Sequence, residues 1–175
     1  MVALVHRLLL QLFRRLPVRA RRRVVRLVAP TFTVGAMCFV ERDDGRLLLV
    51  QLSYRNRWGV PGGLLKRGEA AASAAVRETR EEVGLDVVLL GEPAVVVEPQ
   101  ARRVDVVYRA RPAPGADPDR ATARSPEIVR TGWFHPDALP ELQAETSGAL
   151  VAMARAARSP SAPVLPDALR RATGT

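Results

Sequence analysis

Apolar and β-branched residues form two short runs in the first third of the chain, and turn residues separate them. The runs cover residues 31–40 and 47–52, and an Asp-Asp-Gly sequence at residues 43–45 lies between them. Short apolar segments on either side of an Asp-Gly pair are typical of antiparallel strands joined by a tight turn. We therefore predict a β-hairpin.

Further apolar runs predict additional strands. Residues 86–90 and 94–98 have the composition of strands, and the glycine and proline between them are expected to keep them apart. Residues 104–109 alternate in a way that predicts a strand with one well-buried face. Residues 111–126 instead contain four prolines among small and polar residues, so we expect a mobile loop that closes over a bound ligand.

The stretch at residues 69–83 has helical spacing and an unusual distribution of charge. Its alanine-rich start permits close packing against a sheet, and Gly84 is a typical helix terminator. Ala75, Thr79 and Val83 follow one another at four-residue spacing and predict the buried face. Three carboxylates share another face of the predicted helix, and these are Glu78, Glu81 and Glu82.

The three carboxylates lie in the last turns of the predicted helix, where the helix dipole disfavours negative charge. One interpretation is a solvated face in which Arg77 reaches Glu81 and Arg80 lies beside the cluster. The other is a site for Mg²⁺ or Mn²⁺, because a divalent cation relieves repulsion between acids and accepts oxygen ligands alone. Two histidines and one cysteine are too few for a typical zinc site. We prefer the Mg²⁺ or Mn²⁺ site.

Residues 63–85 also resemble the Nudix box, whose pattern is G-x5-E-x7-R-E-U-x-E-E-x-G-U, with U a bulky aliphatic residue. Every fixed position is matched, and Thr79 stands where the pattern has a bulky aliphatic residue. The chain is therefore identified as a member of the Nudix hydrolase family. The matching residues are Gly63, Glu69, Arg77, Glu78, Glu81, Glu82 and Gly84.

The resemblance implies a fold and a reaction. The fold is an α/β/α sandwich with a mixed β-sheet between helices, here over residues 31–158, and it ends in a Trp-Phe strand and a helix over residues 140–158. The reaction is hydrolysis of a phosphoanhydride bond in a nucleoside diphosphate linked to another moiety. ADP-ribose, nucleotide sugars and nucleoside triphosphates are the substrate classes that remain open. A non-catalytic, regulatory nucleotide-binding module of the same fold is the alternative.

The resemblance also assigns roles to individual residues. The Pro-Gly-Gly sequence at residues 61–63 predicts a turn whose free amides approach phosphate. Glu81 and Glu127 are the candidate catalytic bases, and Glu127 precedes the Trp-Phe strand. Arg77 is expected to orient the carboxylates, with Glu69 as an outer ligand or brace. The expected metal ligands are the carbonyl of Gly62 and the side chains of Glu78, Glu81 and Glu82.

The positive charge of the chain is concentrated at its N-terminus. The net charge is +9, and residues 1–30 contain eight arginines and no acid, so the remainder contributes only +1. Apolar residues and arginines recur there at helical spacing and predict two short amphipathic helices, one on each side of Pro17. The nearly neutral remainder has no recognisable nucleic-acid-binding motif, so we do not expect a nucleic acid partner.

The apolar side of this N-terminal segment needs a covering surface. Packing against the protein's own domain or in a homodimer is the interpretation that we prefer, and an anionic membrane surface is the second. A nucleic acid or a targeting role is the third. Because no apolar run reaches the length of a membrane-spanning helix, any membrane association is expected to be peripheral.

Cysteine content and length complete the prediction. Cys38 is the only cysteine, so an intramolecular disulfide is impossible, and we expect a buried thiol in a cytoplasmic protein. The 175 residues, 47% of them hydrophobic, are enough for one catalytic domain with short extensions. The predicted division is a helical extension at residues 1–30, a catalytic domain at 31–158 and a flexible tail at 159–175.

Overall fold

A computed structural model describes residues 7, 11 and 13–158. The tail predicted over residues 159–175 lies outside the described residues, as does most of the helix predicted over residues 2–16. No helix in the described part of the chain is long and apolar enough to span a bilayer.

Three helices and seven strands have defined bounds in the described part of the chain, and residues 13–15 are also helical. The helices are α1 (Val18–Val28), α2 (Ala71–Val83) and α3 (Ala144–Arg158). The strands are β1 (Thr33–Val40), β2 (Leu47–Leu52), β3 (Trp58–Gly59), β4 (Gly62–Leu64), β5 (Val87–Glu98), β6 (Arg103–Pro112) and β7 (Ile128–Phe134). Two single turns of 3₁₀-helix cover Pro118–Arg120 and Pro136–Ala138.

The strands form two sheets between α2 and α3. The larger sheet has the order β4-β1-β6-β5, and its β1–β6 pair is parallel while the other pairs are antiparallel. The smaller sheet is antiparallel in the order β3-β2-β7. Helix α2 packs on β1, β4 and β5, and α3 packs on β5 and β6. This arrangement confirms the predicted α/β/α fold with mixed strand directions.

Strand β1 separates two apolar cores, because its successive side chains point to opposite faces. Ala36, Cys38 and Val40 pack in the core that includes the buried face of α2. Met37 and Phe39 pack in the other core, which includes Ala149 of α3. Cys38 is fully buried, as predicted, and burial raises the pKa of its thiol to about 11.

The predicted β-hairpin of residues 31–52 is wrong in its strand pairing. The turn is present, with the Gly45 amide donating to the Arg42 carbonyl at 2.8 Å. Beyond one bridge between Glu41 and Leu47, however, β1 and β2 belong to different sheets. The reason is that a strand has only two hydrogen-bonding edges, and β4 and β6 occupy both edges of β1.

Two other local predictions also need correction. The strands predicted over residues 86–90 and 94–98, except for Asp86, form one continuous strand, β5, and a shift in register between Leu90 and Ala94 accommodates the residues expected to divide it. The segment at residues 111–126 packs against the core through three alanines, and the Arg124 amide donates to the Glu82 carbonyl at 2.8 Å. This segment is therefore fixed to the C-terminal end of α2 instead of forming a mobile loop.

Candidate active site

Helix α2 orients the acids through its buried face. Ala74, Ala75, Thr79 and Val83 are completely buried against the sheet, which fixes the rotation of the helix about its axis. The Thr79 hydroxyl donates to the Ala75 carbonyl at 2.8 Å, so the polar group at this apolar position is satisfied within the helix. The helix ends at Gly84, which has a left-handed conformation with φ of +69°.

Strand β4 lies directly against the acidic face of α2. The predicted turn at residues 61–63 is wrong, because Gly62 and Gly63 form part of β4, which pairs with β1. The Gly62 amide, expected to be free for phosphate, donates to Glu82 Oε2 at 3.1 Å. The Glu78 carboxylate lies so close to Gly63 that a Cβ there would be 2.5 Å from Glu78 Oε1. The absence of a side chain at Gly63 therefore lets the Glu78 carboxylate approach the backbone beside the Gly62 amide that Glu82 accepts from.

Arg77 connects three of the predicted acids. It forms a two-pronged ion pair with Glu69, with nitrogen–oxygen distances of 2.7 and 2.9 Å. Its Nη1 atom also donates to Glu78 Oε1 at 2.7 Å and to Glu81 Oε2 at 3.0 Å. The hydrogen bonds from Arg77 and from the Lys66 amide lower the pKa of Glu69 to about 2. Glu69 thus holds the guanidinium group in place beside the acids.

Glu82 is the buried acid of the cluster, with only 8% of its surface exposed. Burial is the main cause that raises the pKa of Glu82 to about 8, and the nearby carboxylates of Glu78 and Glu127 contribute in the same direction. A carboxyl group in this position gains from any cation that arrives beside it.

A cavity of about 490 Å³ brings three of the predicted acids together. Glu78, Glu82 and Glu127 all line it, and Glu127 lies one residue before β7, far from α2 in the sequence. Glu81 is not among the lining residues. Its side chain is half exposed and contacts Arg77 and, at 3.6 Å, the ammonium group of Lys66. The structure therefore separates the two candidate bases.

The opposite wall of the cavity contains polar residues that the sequence did not identify. Gln143 and Thr146 are buried beside the start of α3, and Glu145 pairs with Arg55 at 2.9 Å. Arg103 of β6 also lines the cavity and is held by Asp105 at 2.7 Å. No local sequence signal marks Gln143, Glu145 or Thr146 as part of the site, because the fold brings Glu145 to Arg55 across 90 residues of chain.

The acids match a divalent cation in the chemistry of their atoms. Among the described residues, no three His, Cys, Asp or Glu side chains already form a set of metal ligands, and the oxygens of Glu78 and Glu81 contact Arg77. The available donors are nevertheless all oxygen, as hard cations require. Burial and the neighbouring carboxylates raise the pKa of Glu82, and a cation beside it would offset both the burial and the repulsion. The residues therefore fit Mg²⁺ or Mn²⁺.

Comparison with known proteins identifies the family. The NUDIX domain model matches residues 31–154, which is most of the chain. The chain belongs to the Nudix hydrolase family. It is 30% identical to a MutT-like protein of Streptomyces ambofaciens over 116 residues, covering 66% of this chain and 72% of the relative. It is also 30% identical to a putative 8-oxo-dGTP diphosphatase of Bacillus subtilis over 109 residues, covering 62% of this chain and 70% of that protein.

Solved structures agree with this assignment. An ADP-ribose pyrophosphatase from Streptococcus suis superposes with a TM-score of 0.60 at 27% identity, covering 74% of this chain and 94% of that one. A NUDIX hydrolase from Nitrosomonas europaea has a TM-score of 0.62 at 23% identity, covering 74% and 75% of the two chains, and supports the fold alone. The predictions of a Nudix fold and of a Nudix-type pyrophosphohydrolase are confirmed.

Proposed function

We propose that this Nudix hydrolase cleaves a phosphoanhydride bond in a nucleoside diphosphate linked to another moiety, with Mg²⁺ or Mn²⁺ as cofactor. The observation that supports this most is the convergence of Glu78, Glu82 and Glu127 on one cavity. The names of two similar proteins, an 8-oxo-dGTP diphosphatase and an ADP-ribose pyrophosphatase, point to nucleoside triphosphates and ADP-ribose as the first substrates to test.

The cation would be held by Glu78 and Glu82, with the Gly62 carbonyl and Glu81 as further ligands. Bound there, the cation would neutralise the negative charge of phosphate oxygens and lower the pKa of a coordinated water. The chain itself contributes the alignment of the carboxylates. Arg77 and Glu69 act as positioning residues, because the bidentate pair between them fixes the guanidinium that contacts Glu78 and Glu81.

Glu127 is the base that we propose for the attacking water. It lines the cavity together with Glu82, whereas Glu81 is absent from the lining and is engaged by Arg77 and Lys66. Its backbone is held on both sides, because the Glu127 amide donates to Ser125 Oγ at 3.2 Å and the Glu127 carbonyl accepts from the Ser53 amide at 2.8 Å. A proton acceptor needs such a fixed position.

The wall opposite the acids is the proposed site for the remainder of the substrate. Arg55 and Arg103 supply positive charge for phosphate groups, and Tyr54 beside them supplies an exposed aromatic ring for a base or sugar. The polar side chains at the start of α3, Gln143 and Thr146, supply hydrogen-bonding groups.

The competing proposal is a binding module without catalysis. The buried position of Glu82 argues against it, because a buried acid with a raised pKa among other acids lowers stability and a module without a cation gains nothing from it. For location we propose the cytoplasm, which suits the buried free thiol of Cys38. For assembly we propose a homodimer that covers the exposed Val95 and Val97 of β5.

The test is hydrolysis of ADP-ribose, a nucleotide sugar and a nucleoside triphosphate by the variants Glu127→Gln and Glu81→Gln. We expect Glu127→Gln to lower kcat by roughly 100-fold or more with little change in KM, because a base acts in the transition state. Glu81→Gln is expected to reduce the apparent affinity for Mg²⁺ more than it reduces kcat at saturating Mg²⁺.

Glu92→Gln is the matched control, because Glu92 is an exposed acid on β5 outside the cavity. A change confined to KM in Glu127→Gln would assign Glu127 to substrate binding and make Glu81 the base. Absence of hydrolysis with every substrate, by a folded wild-type protein supplied with Mg²⁺, would favour the binding module.

A further inference from the structure

Helix α1 has two chemically opposite faces. Leu27 and Val24 follow Ala20 at helical spacing, and Val18, Val25 and Val28 continue the same apolar side. Arg19, Arg22 and Arg23 lie at the spacing of the opposite side and are exposed. Most of the positive charge of α1 therefore lies on the side opposite to its apolar residues; Arg21 is the exception, because it falls at the spacing of the apolar side and is partly buried.

The apolar face of α1 is exposed to solvent. Leu27 is 86% exposed and Val28 is 80% exposed, and Val25 is half exposed. Neither of the two apolar cores includes a residue of α1, and extensive packing of this helix on another helix or strand is absent from the described part of the chain. The preferred prediction, that this segment packs against its own domain or in a homodimer, stays a prediction, and the described part of the chain leaves these apolar side chains of α1 exposed.

The exposed apolar surface continues past the end of the helix. Phe32 and Val34, at the start of β1, are both more than one third exposed. The Thr33 amide between them donates to the Arg102 carbonyl at 2.9 Å, and the adjacent Arg103 lines the active-site cavity. Because five residues span at most about 18 Å, Val28 at the end of α1 lies within that distance of Thr33.

Charge decides which partner covers this helix. The first 40 residues contain eight arginines and no acid, and the remaining residues are nearly neutral. A second copy of the chain would bring a second group of eight arginines to the same interface, which is unfavourable. A nucleic acid would neutralise the arginines but would leave the leucine and valines in water. An anionic lipid surface accepts both faces, since acyl chains cover the apolar side and phosphates pair with the arginines.

We propose that α1 is an amphipathic anchor that binds the protein reversibly to the surface of an anionic membrane. The helix lies in the plane of the interface with Val25, Leu27 and Val28 toward the acyl chains. This proposal is independent of the hydrolysis proposed above, because none of its residues belongs to the cavity.

The test is sedimentation of the full-length protein with vesicles of phosphatidylcholine, with and without phosphatidylglycerol. We expect binding only when phosphatidylglycerol is present. Arg19→Gln with Arg22→Gln is expected to weaken the partition coefficient roughly 30-fold, from about 1 kcal/mol for each basic residue near the surface. Val25→Gln with Leu27→Gln is expected to weaken it about tenfold or more, because glutamine keeps helix propensity but removes apolar surface.

Control variants outside α1 show whether vesicle binding depends on where the substitutions are made or only on the residue types that are removed. Arg67→Gln with Arg111→Gln removes the same charge from exposed positions of the domain, and Val129→Gln with Val151→Gln removes two half-exposed valines. Both pairs are expected to bind vesicles like the wild type. All variants are expected to keep wild-type turnover on soluble substrates and wild-type melting temperatures.

Several results would overturn the anchor. These are equal binding to vesicles without phosphatidylglycerol, no binding to either vesicle, or binding that the α1 variants and the control variants weaken alike. Tighter binding to duplex DNA than to anionic vesicles would assign the helix to nucleic acid. A lipid-free dimer that Val25→Gln with Leu27→Gln converts to a monomer would assign the helix to self-association.

Discussion

Two adjacent glycines in β4 are required for different reasons. A Cβ atom at Gly62 would lie 2.4 Å from the carbonyl oxygen of Ala36, which belongs to the backbone of β1. A Cβ atom at Gly63 would lie 2.5 Å from Glu78 Oε1, which is the end of a flexible side chain. Both glycines have ordinary negative φ, so close approach, and not backbone conformation, requires them. Gly62 is therefore required for the packing of β4 against β1, and Gly63 is required for the position of the Glu78 carboxylate.

This difference predicts opposite effects for two alanine substitutions. Gly63→Ala is expected to change the free energy of unfolding by less than about 1 kcal/mol, because the Glu78 carboxylate moves aside, but to lower turnover by roughly 100-fold through that movement. Gly62→Ala is expected to destabilise the protein by about 1–3 kcal/mol, because backbone must shift. Denaturant unfolding and kcat of both variants check this, and the reverse ranking would show that the glycines have other roles.

At the scale of single elements, the features that depend on local residue spacing were predicted correctly from the sequence. The end of α2 at Val83 and Gly84 agrees with the predicted end, because glycine alone accepts the left-handed conformation there without strain. The start differed by two residues, Ala71 instead of Glu69, since the Glu69 side chain accepts from the Lys66 amide and belongs to the preceding turn. The strand partners of β1 depended on contacts distant in sequence, so a turn at residues 43–45 was not sufficient to predict them.

The pair between Glu69 and Arg77 predicts a stability effect with a defined pH range. The pKa of Glu69 is about 2 in the folded protein, which is below its ordinary value of 4.5. The charged carboxylate therefore stabilises the fold above pH 4.5, and this contribution disappears as the pH falls from 4.5 toward 2. Glu69→Gln is expected to lower the melting temperature at pH 7, with a difference from wild type that shrinks below pH 4.5.

Melting curves between pH 7 and pH 2.5 in metal-free buffer measure this effect, with Glu92→Gln as the control for loss of an exposed acid. A difference that stays constant through the acid range would mean that the Glu69 carboxylate contributes through packing instead of through its charge.

At the scale of the whole molecule, the site joins segments that are far apart in the chain. Glu78 and Glu82 come from α2, Glu127 precedes β7, and the opposite wall includes the start of α3. The helical acids were predictable from their spacing, and the resemblance identified Glu127. The residues of the opposite wall, such as Arg103 and Gln143, were not predictable because only the tertiary fold brings them to the cavity.

The most direct test of the account is Mg²⁺ titration of wild-type protein and Glu82→Gln, with turnover and melting temperature measured on the same samples. Glutamine keeps the shape of the side chain but cannot ionise, so the fold is expected to remain without loss of stability in metal-free buffer. For wild type, Mg²⁺ at about 100 times its dissociation constant is expected to add roughly 2.7 kcal/mol of stability. Glu82→Gln is expected to lose most of this stabilisation. Its turnover at saturating Mg²⁺ is expected to be lower than that of wild type by about 100-fold or more. Turnover close to wild type, with an unchanged response of the melting temperature to Mg²⁺, would contradict the assignment of the buried acid to the cation.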